Sequence, residues 1–393
     1  MPRSSECPAI AHLIESDGPG GAERLVAALA VALQESGSRN VVFLPADGEG
    51  WLARELCGSG VVVEPYRLDR PVSPACARSI AAAFRRHAVQ VAHSHEFTMA
   101  VYGAWASRSA GVPHVITMHG SRYYAGRLRR RVALRAAMSG RSRVVAVSHQ
   151  LAGHISRDLR IGASRIEMIP NGVRFVGPAA PAALRAELSL GPGDRLLAAV
   201  GNLYPVKGHS VLVEALAALS ARYPRLHLAI AGRGELAGAL AGQARALGLR
   251  ERLHLLGLRS DIPAILAAAH VFVLPSLSEG LPLALLEAMF AARPIVATAV
   301  GEVGSALDGG RAGVLVPPGD AAALAAAVDG VLSDGARAHT LAAAARARAV
   351  AEYDLRIMVR RYRSVYDDLL TVNRSRLITH HAHKGHFNEG TSP

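Results

Sequence analysis

Lysine is nearly missing from this chain. Of its 44 lysine and arginine residues only Lys207 and Lys384 are lysine, so any chemistry built on a lysine Schiff base is confined to those two positions, and Lys384 lies in the tail. Aromatic residues make up only 5% of the sequence, too few to form a stacking platform for single-stranded nucleic acid. Cysteine is scarce as well. Cys7, Cys57 and Cys76 are odd in number and lack metal-ligand spacing, which points to reduced thiols in a reducing compartment. No Asp-x-Asp pair and no HExxH occurs, so neither motif implies a catalytic metal. No apolar run approaches the roughly 20 residues of a membrane span. The N-terminus lacks the charged, apolar and small-residue succession of a secretion signal. The expectation is a cytoplasmic chain, with a peripheral place on the cytoplasmic membrane face left open.

What is abundant is alanine, leucine and valine. Half of the 393 residues are hydrophobic, enough for two domains with helices and buried parallel strands. The most informative stretch is PSLSEGLPLALLEAMF, residues 275–290. Ser276, Ser278 and Gly280 suit a loop, Leu281 to Phe290 suit a helix, and Pro282 fits its first turn. Glu279 then sits at the helix mouth and Glu287 one to two turns inside. Free N–H groups near Gly280 and Leu281 form an anion site, while a carboxylate accepts from a diol. A ligand with both phosphate and hydroxyls, such as a nucleotide sugar, suits that combination.

The same grammar runs along the chain. A strand at 9–14 enters the loop Asp17-Gly18-Pro19-Gly20-Gly21 and a helix striped by Leu25, Leu29 and Leu33. Strands at 41–44, 61–64, 90–93, 114–118 and 143–147 alternate with helices at 75–88, 99–110, 126–139 and 148–159, which argues for a parallel sheet covered on both faces. His95 and His119 lie at strand carboxyl ends, where open α/β sheets bind ligands. A strand at 166–169 and the turn Pro170-Asn171-Gly172 close this half. The second half restarts with a strand at 196–200 and Gly201-Asn202-Leu203-Tyr204-Pro205-Val206-Lys207-Gly208, a loop whose lysine can reach a phosphate. Arg233 follows the strand at 226–231 and either lines the nucleotide pocket or is simply exposed.

The formal charge of +13 is concentrated around residues 121–143, which hold Arg122, Arg127, Arg129, Arg130, Arg131, Arg135, Arg141 and Arg143 and no acid. Tyr123, Tyr124, Leu128, Val132, Leu134 and Met138 are interspersed. This reads as a basic amphipathic helix on an anionic membrane, or as a solvated face without a partner.

The wording SxSEGxPxxxLEAM, with GPGGAER, TMHG, IPNGV and the GxxxxxKG loop, resembles the retaining glycosyltransferases of family 4, which have the GT-B fold. The resemblance covers residues 9 to 370. It implies two facing Rossmann-like domains, each a parallel sheet covered by helices, with the active site in the interdomain cleft. Residues 1–175 would form the acceptor-side domain, 176–194 a linker with a short helix, and 195–352 the donor-side domain. Residues 353–370 would be a helix crossing back to the first domain, and 371–393, with His380, His381, His383 and His386, a disordered tail.

The implied reaction moves a sugar from a UDP- or GDP-linked donor to a hydroxyl acceptor with retention. That acceptor is expected to be a glycan or lipid-linked intermediate of cell-surface polysaccharide or glycolipid synthesis. No cofactor, metal or nucleic acid is expected. His119 would contact the sugar, Lys207 and the helix mouth at Gly280 and Leu281 the diphosphate, Glu279 the sugar hydroxyls and Glu287 the ribose. Gly20, Gly21, Gly201, Asn202 and Arg233 would complete the donor site. Asn202 stands where the family has an arginine, so one bidentate phosphate clamp is missing. Arg127, Arg129, Arg130, Arg131 and Arg135 would meet membrane or acceptor. The competing readings are a nucleotide-sugar epimerase or phosphorylase on the same scaffold, and a non-catalytic basic protein binding lipid or nucleic acid.

Overall fold

The computed structural model describes residues 8–385 apart from 69–71, 121–125, 141, 175–176 and 178–179, and for 374–385 only the backbone. Arg122, Tyr123, Tyr124, Arg141 and the tail after Gly385 therefore lie outside the described residues. The chain divides into two compact units, one of residues 1–171 with 355–393, the other of residues 172–354.

The first unit runs β1 (Ala9–Leu13), α1 (Gly21–Glu35), β2 (Arg39–Pro45), α2 (Trp51–Glu55), β3 (Val62–Tyr66), α3 (Pro74–Arg86), β4 (Val91–His95), α4 (Glu96–Ala110), β5 (His114–Met118), α5 (Leu128–Met138), β6 (Arg143–Ala146), α6 (His149–Leu159) and β7 (Ile166–Met168). Its seven strands are parallel in the order β3-β2-β1-β4-β5-β6-β7, so the winding direction reverses at β1 and β4. In that register His12 pairs with His93. Every residue of β1, β4 and β5 is buried, as expected of parallel strands covered on both faces. Ser73 and Ser148 cap α3 and α6 by accepting the Cys76 and Leu151 N–H groups.

The second unit runs α7 (Ala182–Glu187), β8 (Arg195–Val200), α8 (His209–Leu219), β9 (Leu226–Ala231), α9 (Ala237–Ala246), β10 (Leu253–Gly257), α10 (Ile262–Ala268), β11 (Val271–Leu274), α11 (Leu283–Phe290), β12 (Ile295–Thr298), α12 (Val303–Ala306), β13 (Val314–Val316), α13 (Ala321–Ser333) and α14 (Gly335–Glu352). Its six parallel strands are ordered β10-β9-β8-β11-β12-β13, and the reversal falls between β8 and β11. Leu285, Leu286, Met289 and Phe290 of α11 pack with Phe272, Leu274 and Ile295, and Ala345 and Ala349 of α14 join the same core. Each large side chain so buried stabilises by about 1.5–3 kcal/mol relative to exposure, and α11 is thereby fixed in place.

Three boundaries differ from the sequence expectation. The stretch expected as a linker is built into the second unit, because Leu184 and Leu190 enter its core. The last helix, α15 (Leu355–Gly385), belongs to the first unit and continues past residue 370. No proline or glycine interrupts it before Gly385, so nothing stops the backbone within the segment expected to be disordered. Pro282 is the N-cap of α11 rather than part of its first turn; its ψ of 132° is extended, as an N-cap requires.

Candidate functional site

In the second unit the loops leaving β8 and β11 are stitched together by backbone. Leu277 donates its N–H to the Val206 carbonyl at 2.8 Å. Gly208 has φ +64°, and a Cβ there would stand 2.1 Å from the Pro275 carbonyl oxygen. Only glycine fits at that position on both counts. The same holds across the next strand: Gly301, φ +54°, would place a Cβ 2.1 Å from the Glu279 carbonyl, and Glu302 N–H bonds the Gly280 carbonyl at 3.0 Å.

These constraints set the side chains. Lys207 ends a short 3-10 turn, Pro205–Lys207, and its Nζ lies 2.6 Å from Glu279 Oε1. Ser276, fully buried, donates its hydroxyl to the same oxygen at 2.7 Å. Thr298 of β12 holds the Ser276 carbonyl at 2.6 Å. The Glu279 side chain is 8% exposed and that of Lys207 25%. A lysine ammonium has three donors and an ionised carboxylate several acceptor sites, so each partner keeps capacity for a ligand.

Gly201 and Asn202 lie on the adjoining turn, where Gly201 N–H bonds the Ala231 carbonyl. Arg233 is exposed on the turn after β9, and its carbonyl accepts from Leu203. Leu281 is buried at the mouth of α11 and Glu287 is half-buried inside it. One residue here was not legible from sequence. His209 opens α8 buried, with Nε2 3.3 Å from the Gly201 carbonyl. Burial, the largest cause, lowers its pKa to about 4, so it donates from Nε2 as a neutral ring.

The first unit gathers a second set at the carboxyl ends of its strands. His119 Nε2 lies 3.2 Å from His95 Nδ1, the rings stacked with centroids 5.5 Å apart. Glu96 Oε1 accepts the His119 N–H at 3.2 Å. Beneath them His93 is hydrogen-bonded by both nitrogens, to Tyr366 Oη at 2.7 Å and to Thr117 Oγ1 at 2.8 Å. His12 donates from Nε2 to Asn40 Oδ1 at 3.2 Å. His12, His93 and His95 each offer a nitrogen within 4.8 Å of the others. Alternation along β1 and β4, with sheet register, could have revealed this cluster; a linear reading did not. Gly20 caps α1 and abuts the Glu23 carboxylate, which Ser16 also bonds, while Gly21 faces open space.

The arginines of α5 divide. Arg131 is not free: its guanidinium donates twice to the Asp158 carbonyl, at 3.1 and 2.5 Å, satisfying the end of α6. Arg130 lies over the Phe97 ring at 5.4 Å. Arg127, Arg129 and Arg135 are exposed, beside Leu128 at 74% and Val132 at 59% exposure.

Two successive doubly wound parallel sheets are the architecture of the GT-B class. The family described as glycosyl transferases group 1 matches residues 194–334, and Glycosyltransferase Family 4 matches residues 19–175. The D-inositol 3-phosphate glycosyltransferase of Arthrobacter sp. (strain FB24) is 30% identical over 352 residues, 82% of this chain and 84% of that protein. The glycogen synthase of Mycobacterium tuberculosis (strain ATCC 25618 / H37Rv) is 32% identical over 286 residues, covering 70% and 68%. Anabaena HepE in complex with UDP-glucose matches with a TM-score of 0.82 at 25% identity, over 92% of this chain and 99% of that one. The chain belongs to the family 4-like glycosyltransferases of GT-B fold.

Proposed function

We propose that this transferase moves a sugar from a nucleoside-diphosphate sugar to a hydroxyl acceptor with retention of configuration. The observation that carries the reading is the Lys207–Glu279 pair at the point where the second sheet reverses, the place at which open α/β sheets bind nucleotides. HepE, solved with UDP-glucose, supports a uridine donor. In the reaction the acceptor oxygen bonds to the anomeric carbon as the carbon–phosphate oxygen bond breaks. The departing diphosphate takes the acceptor proton on the same face. Lys207 and the N–H groups at the mouth of α11 stabilise its charge, and Glu279 accepts from sugar hydroxyls.

A panel of nucleotide sugars tests this. The true donor at 100 times its dissociation constant should stabilise the protein by about 2.7 kcal/mol, and it should release nucleoside diphosphate when an acceptor is added. Absence of both with every donor would sink the reading. Glu287 is assigned to the ribose. Glu287→Ala should weaken the natural donor by about 1.5–3 kcal/mol, the worth of hydrogen bonds to a charged group. The 2′,3′-dideoxy donor should be hardly affected. An equal loss for both donors would make Glu287 a structural residue of α11.

We further propose that the acceptor lies at a membrane. An Escherichia coli relative, 32% identical over 232 residues, is a galactosyltransferase acting on GlcNAc-diphosphoundecaprenol, and α5 exposes Leu128 and Val132 among Arg127, Arg129 and Arg135. Each basic residue near anionic lipid contributes about 1 kcal/mol. Replacing Leu128, Arg129 and Val132 by serine should reduce sedimentation with phosphatidylglycerol vesicles and leave nucleotide affinity intact. Arg131 is unsuited to this test, because its loss would uncap α6. Unchanged sedimentation would leave α5 as a solvated face.

A further inference from the structure

Six non-glycine residues have positive φ among the described residues: Ala88, Glu96, Arg160, Ser189, Ala292 and Asp308. Five of them follow the ends of helices, where a left-handed residue commonly closes the last turn. Glu96 is different. It opens α4 directly after the carboxyl end of β4, with φ +65°. A side chain with a Cβ is held there only when its surroundings over-determine it, and such positions cluster at functional sites.

A second unfavourable feature falls on the same residue. The Glu96 carboxyl is buried, Oε1 accepts the His119 N–H, and Oε2 has no partner among the described residues. Burial, and after it the charge of Glu15, pushes its pKa up to about 8. The groups facing it are Glu15 on the loop after β1, Glu23 on α1 and His119 after β5. Glu15 already serves the start of α4, accepting the Thr98 N–H at 3.1 Å. The helix therefore has no need of a second acid at its mouth, and a glycine would satisfy the backbone better.

We propose that Glu96 is a positioning residue for the transfer reaction, holding the loop after β5 so that His119 keeps its place. The inference rests on the transferase reading above. His119 is then gripped twice, at its backbone by Glu96 and at its ring by His95. Strain and desolvation concentrated in one side chain are what a functional constraint leaves behind.

The test uses the full chain and the donor selected by the panel above. Glu96→Gly removes both unfavourable features. It should raise the melting temperature at pH 7 while lowering kcat about tenfold or more, on the scale of a misplaced catalytic group, with donor KM changed less. Glu96→Gln keeps the acceptor oxygen. It should retain kcat at pH 7, the rescue that positioning through that oxygen requires. A purely structural Glu96 gives the opposite pattern: Glu96→Gly melts lower and turns over normally once folded. Either a lower melting temperature or an unchanged kcat for Glu96→Gly overturns the proposal. So does a Glu96→Gln variant that turns over as slowly as Glu96→Gly. His119→Ala separates the two readings. If it leaves kcat unchanged, the role given to His119 is wrong; if it abolishes turnover while Glu96→Gly does not, only the present inference falls.

Discussion

Between pH 6.5 and pH 4 the first unit is expected to lose stability. His12 and His119 are lowered to about 4 and His114 to about 3, in each case chiefly because burial disfavours the charged ring. His93 and His95 are lowered well below 6.5 for the same reason, with neighbouring imidazoles adding to it. The folded pKa lies below the unfolded one, so the stability these groups contribute is complete above pH 6.5. It is lost as the unfolded chain takes up protons that the folded chain refuses. At pH 5 each of the first three withholds roughly 2 kcal/mol. Glu96, buried in the same unit with its pKa raised to about 8, works the other way and returns about 3 kcal/mol between pH 7.5 and pH 5, so the net loss is a few kcal/mol out of the roughly 5–15 kcal/mol of an ordinary domain. Urea denaturation at pH 7.5 and pH 5 measures this directly, and equal midpoints would contradict it. His114 lies between Ser94 Oγ and Ser142 Oγ, at 2.8 and 3.2 Å. His114→Gln should lower the pH slope by about one proton without altering the site.

Lys207→Ala is expected to reduce turnover by roughly 2.7–4 kcal/mol, or 100- to 1000-fold, the scale of losing one preorganised donor at developing charge. A second effect separates this lysine from an ordinary surface residue. Its partner Glu279 is nearly buried, and with the ammonium gone the carboxylate keeps, among the described residues, only the Ser276 hydroxyl. Breaking a fully buried pair costs about 3–5 kcal/mol. With Lys207 a quarter exposed, water recovers part of that, and a loss of about 1–3 kcal/mol is expected. The double variant Lys207→Ala with Glu279→Gln should regain stability, because no charge is stranded, and remain inactive. A double variant that recovers turnover would show that Lys207 serves the fold alone. One that stays as unstable as Lys207→Ala would show that the pair does not matter to folding.

Many of the strands were legible because they are short apolar runs bounded by glycine or proline, as in Val271–Leu274 before Pro275. The donor loops were legible because their demands are local: glycine at 208, lysine at 207 and an acid before Gly280. The histidine cluster was not. His12, His93 and His95 meet only through the pairing of β1 with β4, and the two tyrosines against His93, Tyr362 by its ring and Tyr366 by its hydroxyl, come from the far end of the sequence. Arginine counting also misled around α5. Composition could not distinguish Arg131, spent on the end of a neighbouring helix, from Arg129, which is exposed. Helix α15 runs beyond the end its sequence suggests, because periodicity fades after residue 370 while no breaker residue occurs before Gly385.

Helix α15 also bears on how the molecule is made. Tyr362 and Tyr366 bond Thr117 and His93 in the interior of the first unit, yet the whole second unit lies between them in the chain. On a ribosome the second unit is complete before those tyrosines emerge. Until then His93 and Thr117 lack two buried partners, so the half synthesised first is the half that finishes folding last.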